Sequence, residues 1–324
     1  EAIHYAWDFL TNDLKLDSKK LYVSVHESDD VSKDIWLNNI KVDPDKVLVL
    51  GDEDNFWQMG DTGPCGPCTE IYYDLGSKYD GVLPTEGDPK DRYIEIWNLV
   101  FTQYNKTSSG NLEELPQKCV DTGMGLERVQ SIVEGLSDNY DSSIFLDLNN
   151  FIDSKLNLKV KEKYVKKILL DHIRACCHLI GDNVIPDREG RGYVLRRILR
   201  RSSRFIYKHN IKEPFLYQCA EVVCEKSKDF PSLKKDIIKI VDTIKTEEIK
   251  YLKTLGKGID IIESHLKKHK SLDAEMIFTL YDTYGFPYEI TEEIASEKNI
   301  TLDKKGYDNP VSYTHLRAHE TYVH

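Results

Sequence analysis

Apolar positions along the 324-residue chain follow a two-residue rhythm through the first half and a 3.6-residue rhythm through the second. Leu21 to Val25 and Val47 to Leu50 read as short strands, separated by a polar segment around Ile35, Trp36 and Leu37. Gly63, Pro64, Gly66 and Pro67 predict a rigid loop that feeds a strand at Ile71, Tyr72 and Tyr73. Arg92 to Tyr104 predicts a long strand, with Ile94, Ile96, Asn98, Val100 and Thr102 on one face and Tyr93, Glu95, Trp97, Leu99 and Phe101 on the other. Cys119 to Val129 then runs from a strand end through Gly123 and Gly125 into a helix whose stripe is Leu126, Val129, Ile132, Val133 and Leu136. From Phe151 onward helical patterns replace strands: Val165, Ile168, Leu169, His172, Ile173, Cys176 and Ile180 trace one stripe, and Leu233 to Lys270 reads as one or two long helices.

Several residues resist this patterning. Gly123 and Gly125 leave bare backbone that a flat ring or a phosphate could approach, with Arg128 near the helix start; a tight strand-to-helix turn with Asp121 as a cap is the alternative. Phe56 and Trp57 either stack on a ligand or plug a sheet edge. Asn98, between Ile96 and Val100, must find hydrogen bonds from a neighbouring backbone or from a small polar ligand. Cys65 and Cys68 form a Cys-x-x-Cys, but no second pair follows at finger-like spacing and Pro67 with a strand after it is a poor redox context, so structural thiols are expected and no metal.

Composition narrows the class. Hydrophobic content of 40% supports a sizeable core, and no run approaches the roughly 20 apolar residues of a membrane helix. Seven cysteines spread over the chain do not make a secreted disulfide framework, which favours a reducing compartment. The net charge of −11 argues against nucleic acid on average, yet Arg188 to Lys212 holds nine basic residues against one acid, Glu189. Such a face neutralises phosphates, or is simply solvated. Ile3, Ala6, Trp7 and Leu10 already share a helical face and there is no initiator Met, so the chain reads as a fragment.

Three long motifs, DNFWQMGDTGPCGPCTEIYYD (54–74), RYIEIWNLVFTQYN (92–105) and VDTGMGLERV (120–129), resemble in this order the catalytic domain of the alanyl-tRNA synthetases, a class II aminoacyl-tRNA synthetase family, the last being similar to class II motif 3. DHIRACCHLIGDNVIPDREGRGYVLRRILRR (171–201) and LYDTYGFP (280–287) resemble that family's helical tRNA-recognition region. The resemblance implies an α+β fold: an antiparallel class II sheet flanked by helices over residues 1–150, an all-α tRNA-recognition domain over 151–309, and a tail, 310–324, that resembles translated vector sequence.

It also implies ATP-dependent activation of L-alanine, with Mg2+, and transfer to the 3′ end of tRNA(Ala). Trp57, Ile96, Trp97, Asn98, Gly125 and Arg128 would line the ATP site. Asn98, Val100, Asp121 and Gly123 would hold alanine, Asp121 pairing with the α-amino group, Arg128 holding the triphosphate, and these last two carrying the catalytic role. Arg191, Arg196, Arg197, Arg200 and Arg201 would meet the acceptor stem, with Asp282 a candidate base contact. Positioning and charge stabilisation would dominate catalysis. The family's motif 1 and motif 2 arginine would lie upstream, leaving this fragment inactive alone, and zinc would belong only to an editing domain outside this chain. The cytoplasm is the expected compartment, an organelle remaining open. The rival function is a non-catalytic tRNA-binding protein derived from the synthetase.

Overall fold

The computed structural model describes residues 1–156, 158, 162–284, 286 and 288–307. The expected tail from residue 310, with its three histidines, lies outside them, as do Gly285 and Pro287. The chain divides into two compact units, Glu1–Leu146 and one beginning at Asp147.

The first unit is a six-stranded sheet with helices: α1 (Ala2–Asp8), β1 (Leu21–His26), α2 (Asp30–Asp34), β2 (Val47–Leu50), α3 (Asp52–Asn55), β3 (Phe56–Gln58), β4 (Gly63–Asp74), β5 (Tyr93–Lys106), β6 (Leu112–Met124) and α4 (Leu126–Val133). Strand order is β2-β1-β4-β5-β6, with β3 pairing β4, so among the described residues β6 pairs on one side only. All pairings are antiparallel except β1 with β2, which makes the sheet mixed. One face carries the core: Ile3, Ala6 and Leu10 from the N-terminal helical segment pack with Trp36, Val23, Ile71, Ile96, Leu99, Val129 and Ile132. Trp36 is fully buried and donates Nε1–H to Thr69 Oγ1 at 2.8 Å, so its one polar atom is satisfied.

Two departures from the expected pattern shape the other face. Gly63 to Pro67 is strand, not loop: Pro64 pairs with Asn105 and Pro67 with Phe56, and a register shift between Cys65 and Cys68 absorbs the irregularity. Gly66 makes this possible, since a Cβ there would stand 2.1 Å from Phe101 O. In β5 a second shift sets Ile71 opposite Trp97 but Tyr72 opposite Glu95. Ile96 is the extra residue, so strict alternation fails at that point.

The second unit is mainly helical: α5 (Leu146–Lys155), α6 (Lys163–Gly181), α7 (Gly190–Lys208), α8 (Leu216–Lys226), α9 (Pro231–Lys235), the 30-residue α10 (Ile237–Leu266), α11 (Ala274–Asp282), α12 (Tyr288–Glu297) and α13 (Lys304–Tyr307). It is not purely α, because β7 (Ser271–Leu272) pairs in parallel with β8 (Thr301–Leu302). Glu248 is buried and accepts from Phe215 N and Leu216 N at 2.9 and 3.0 Å, capping the start of α8. Burial raises its carboxyl to about 7 against those bonds. Phe286 is fully buried against Gly258, where any Cβ would meet its ring at 2.3 Å.

Candidate functional site

Strands β4, β5 and β6 lie in register across the face opposite the core. Cys68, Val100 and Asp121 form one row, and Glu70, Asn98 and Gly123 form the next. Directly opposed residues in antiparallel strands share a face, so Asn98, Val100, Asp121 and Gly123, four of the expected residues, come together. Val100 is buried as a floor while Asp121 and Gly123 are exposed. A Cβ on Gly123 would meet nothing within 4 Å, so the fold has no packing need for glycine there. Glycine weakens a strand, and one that nothing crowds marks a place where something else approaches.

The extra residue in β5 redistributes its neighbours. Ile96 turns into the core, 1% exposed, and touches the site side only through its carbonyl, which accepts Gly125 N at 3.0 Å. Trp97 also faces the packed side: its ring packs edge-on against Phe9, and its Nε1 donates to Thr122 Oγ1 at 2.7 Å. The side chains of Ile96 and Trp97, both expected in the ATP and alanine lining, thus lie on the packed side of the sheet, because a bulge reverses facing for every residue on one side of it. Glu95, expected beside Trp97, instead stands opposite Tyr72 on the site face.

Asn98 donates Nδ2–H to Glu70 Oε1 at 3.2 Å, while its Oδ1 is enclosed without a partner. Tyr72 donates its hydroxyl to Glu70 Oε2. Burial raises Glu70 to about 7, with Glu95 and Asp54 adding repulsion. Neither Glu70 nor Glu95 is among the expected site residues; a lone carboxylate within a β-rich run, Glu70 before Ile71, Tyr72 and Tyr73, is the signal the sequence offers. Asn55 fixes the layer behind, its Nδ2 donating to Ser24 Oγ and Cys68 O at 2.9 Å each. Cys65 and Cys68 are buried, and loss of solvent pushes the Cys68 thiol up to about 12, which makes it a poor nucleophile.

Arg128 sits in the first turn of α4, with Gly125 as the residue before the helix. Its Nη1 donates to Glu95 O at 2.7 Å and approaches Glu95 Oε2 at 3.5 Å. Asp121 lies within β6, too far back to cap α4, and Leu126 and Val133 are exposed, which narrows the stripe to Val129 and Ile132. Trp57 in β3 stands opposite Gly66 and is half-buried; Phe56 packs edge-on against His26.

In the second unit the basic stretch forms α7, and its arginines divide. Arg196 Nε and Arg200 Nε both donate to Glu247 Oε1 at 2.9 Å, Arg200 lying over the Tyr251 ring, and Arg204 is buried in an ion pair with Glu293. Arg191, Arg197 and Arg201 are exposed, with Tyr193 and Val194 exposed beside them. The expected five-arginine face is therefore three arginines wide, because Glu247 from α10 takes the other two. Gly192 allows the turn before α7 to close, since a Cβ there would stand 2.3 Å from Ile185 O. Asp282 is the exposed last residue of α11.

The tRNA synthetases class II (A) family model matches residues 1–322, into the stretch set aside as a tail. An alanine-tRNA ligase of Coxiella burnetii is 46% identical over 312 residues, 95% of this chain and 36% of that protein. Alanine-tRNA ligases of Nitrosospira multiformis and Neisseria meningitidis are each 43% identical over 99% and 98% of this chain and 38% of their own lengths. The chain thus spans little more than a third of the curated relatives it matches.

Proposed function

The chain belongs to the class II (A) tRNA synthetases, and from that premise we propose that it carries the amino-acid end of an alanine-tRNA ligase active site, followed by a helical tRNA-binding region. The division of labour follows the expected boundaries, residues 1–150 for activation and 151–309 for RNA. The observation that carries the reading is the double row Cys68-Val100-Asp121 and Glu70-Asn98-Gly123, in which an exposed carboxylate, a buried methyl-sized floor and an uncrowded glycine share one face.

Asp121 pairs with the α-ammonium group of alanine, a charge-assisted contact. Val100 limits the volume left for the side chain, and Gly123 admits the backbone of the adenylate. ATP enters as its Mg2+ complex, with Arg128 holding the triphosphate after exchanging Glu95 for phosphate, and Trp57 and Gly125 flanking the nucleotide. The carboxylate of alanine attacks the α-phosphorus and pyrophosphate leaves; the residues here align and neutralise rather than donate or remove protons. A hydrophobic floor separates alanine from serine or glycine by only about 1 to 3 kcal/mol. Arg191, Arg197 and Arg201 meet the acceptor-stem phosphates of tRNA(Ala). That exposed basic face is also what a non-catalytic tRNA-binding protein would use.

Thermal stabilisation by alanyl-sulfamoyl adenosine, against its seryl and prolyl counterparts, tests the reading. A ligand bound only to the folded state raises stability as RT ln(1 + [L]/Kd). Selective stabilisation by the alanyl form, lost in Asp121→Ala, is the expected result. Preference for the prolyl form would refute alanine, and indifference to all three would move the test to a longer form of the protein.

A further inference from the structure

Resting on that amino-acid subsite, we infer that Glu70 is a positioning residue of it, fixing the amide of Asn98 by its nitrogen end so that the oxygen end serves as the acceptor for the ligand's ammonium group. Glu70 stands directly opposite Asn98 in the β4–β5 register, and Asn98 stands opposite Gly123, so the three form one row leading to the open edge. An amide can turn either end to a neighbour. Once ionised, above about pH 7, the Glu70 carboxylate only accepts, and it takes the Asn98 Nδ2–H at 3.2 Å, which leaves Oδ1 as the end without a partner. An enclosed acceptor without a donor is costly, and a positively charged donor arriving with a ligand that parts the covering side chains relieves that cost.

Glu70 is itself held. Tyr72 donates to its second oxygen, and Glu70 N bonds to Ser24 Oγ at 3.2 Å. Glu95 from β5 and Asp54 from α3 are the charged groups that act on its carboxyl most strongly, and both are acids. Buried carboxylates are ordinarily paired. An ammonium group bound at Asn98 Oδ1 would bring positive charge towards Glu70, with Asp121 one row away pairing with it directly.

The test uses Glu70→Gln in the longest form of the protein in which this chain occurs. Glutamine keeps the shape but can present either end, so the Asn98 amide loses its enforced direction. Two ligands are compared by calorimetry: alanyl-sulfamoyl adenosine and its propionyl analogue, which lacks only the amino group. Glu70→Gln is expected to weaken the alanyl ligand about tenfold while leaving the propionyl ligand within about twofold, a selectivity for the amino group that altered packing would not create. Equal weakening of both ligands, or a change in neither, with the melting temperature tracking that of the parent, would overturn the role of Glu70 and leave the alanine site standing. A parent protein that does not prefer the alanyl to the propionyl ligand would remove the amino-acid subsite and the inference with it.

Discussion

Two buried carboxylates, one in each unit, tie stability to pH in the direction opposite to an ordinary ion-paired acid. Glu70 and Glu248 each move from 4.5 to about 7, both through burial. Between those values the folded chain holds protons that the unfolded chain has released, so the stability each proton brings is full below about 4.5 and lost as pH rises through about 7. Unfolding free energy is therefore expected to fall between pH 5 and pH 8, by on the order of 3 kcal/mol per group at most, and melting temperature falls with it. Glu248→Gln should flatten the Glu248 share of that slope, which thermal melts across pH would read directly. A slope unchanged in Glu248→Gln would mean that Glu248 is ionised throughout.

At the scale of elements, α7 and β4 show what a chain can reveal about itself and what it hides. The helical spacing of Leu195, Ile198, Leu199, Phe205 and Ile206 is legible in the residues themselves, and all but the half-buried Ile198 are buried on α7. The partner of Arg196 and Arg200 was not legible, because Glu247 lies about fifty residues away and no local pattern ties it to them. Removing that partner should cost about 3 kcal/mol as two arginines lose it, so Glu247→Ala is expected to melt early. Arg197→Ala and Arg201→Ala should leave the melt alone, weaken tRNA binding and lower its salt dependence by about one ion each. Filter binding over a salt series separates the two classes.

The site strands divide similarly. Alternating patterns disclosed β1, β2 and the span of β5, and the glycine motif disclosed the turn into α4. Two bulges were invisible, since each depends on the strand alongside rather than on the residue itself. Composition also misled at Gly63 to Pro67, where the usual loop formers build an extended strand because Gly66 lets the Phe101 carbonyl come within reach. Gly66→Ala is expected to push β4 from β5, costing about 1 to 3 kcal/mol or more, and to weaken the adenylate analogue by displacing Trp57 opposite it. Paired melting and binding measurements would show both losses together; a melt like the parent's would mean that the backbone yields cheaply.

For the whole molecule, the net charge of −11 conceals two surfaces of opposite character. The first unit presents Asp121 and Glu95 on its site face, and the second presents Arg191, Arg197 and Arg201 on α7. Among the described residues no helix is long and apolar enough to cross a membrane. Hydrogen exchange should therefore respond in two places to two ligands: an alanyl-adenylate analogue slowing amides of β4 to β6, and tRNA slowing those of α7. Exchange slowed in α7 by the small ligand alone would refute this separation of tasks.

Among the described residues β6 pairs on one side only, with β5. A strand with one free edge carries a row of unpaired N–H and C=O groups, and such a row is a template for another strand. Leu112 and Val120 add exposed apolar side chains along it. Because Asp121 and Gly123 belong to that same strand, any chain that adds to the edge becomes a wall of the pocket. A strand laid along that edge, whatever chain supplies it, would set amino-acid affinity as directly as a substitution inside the pocket.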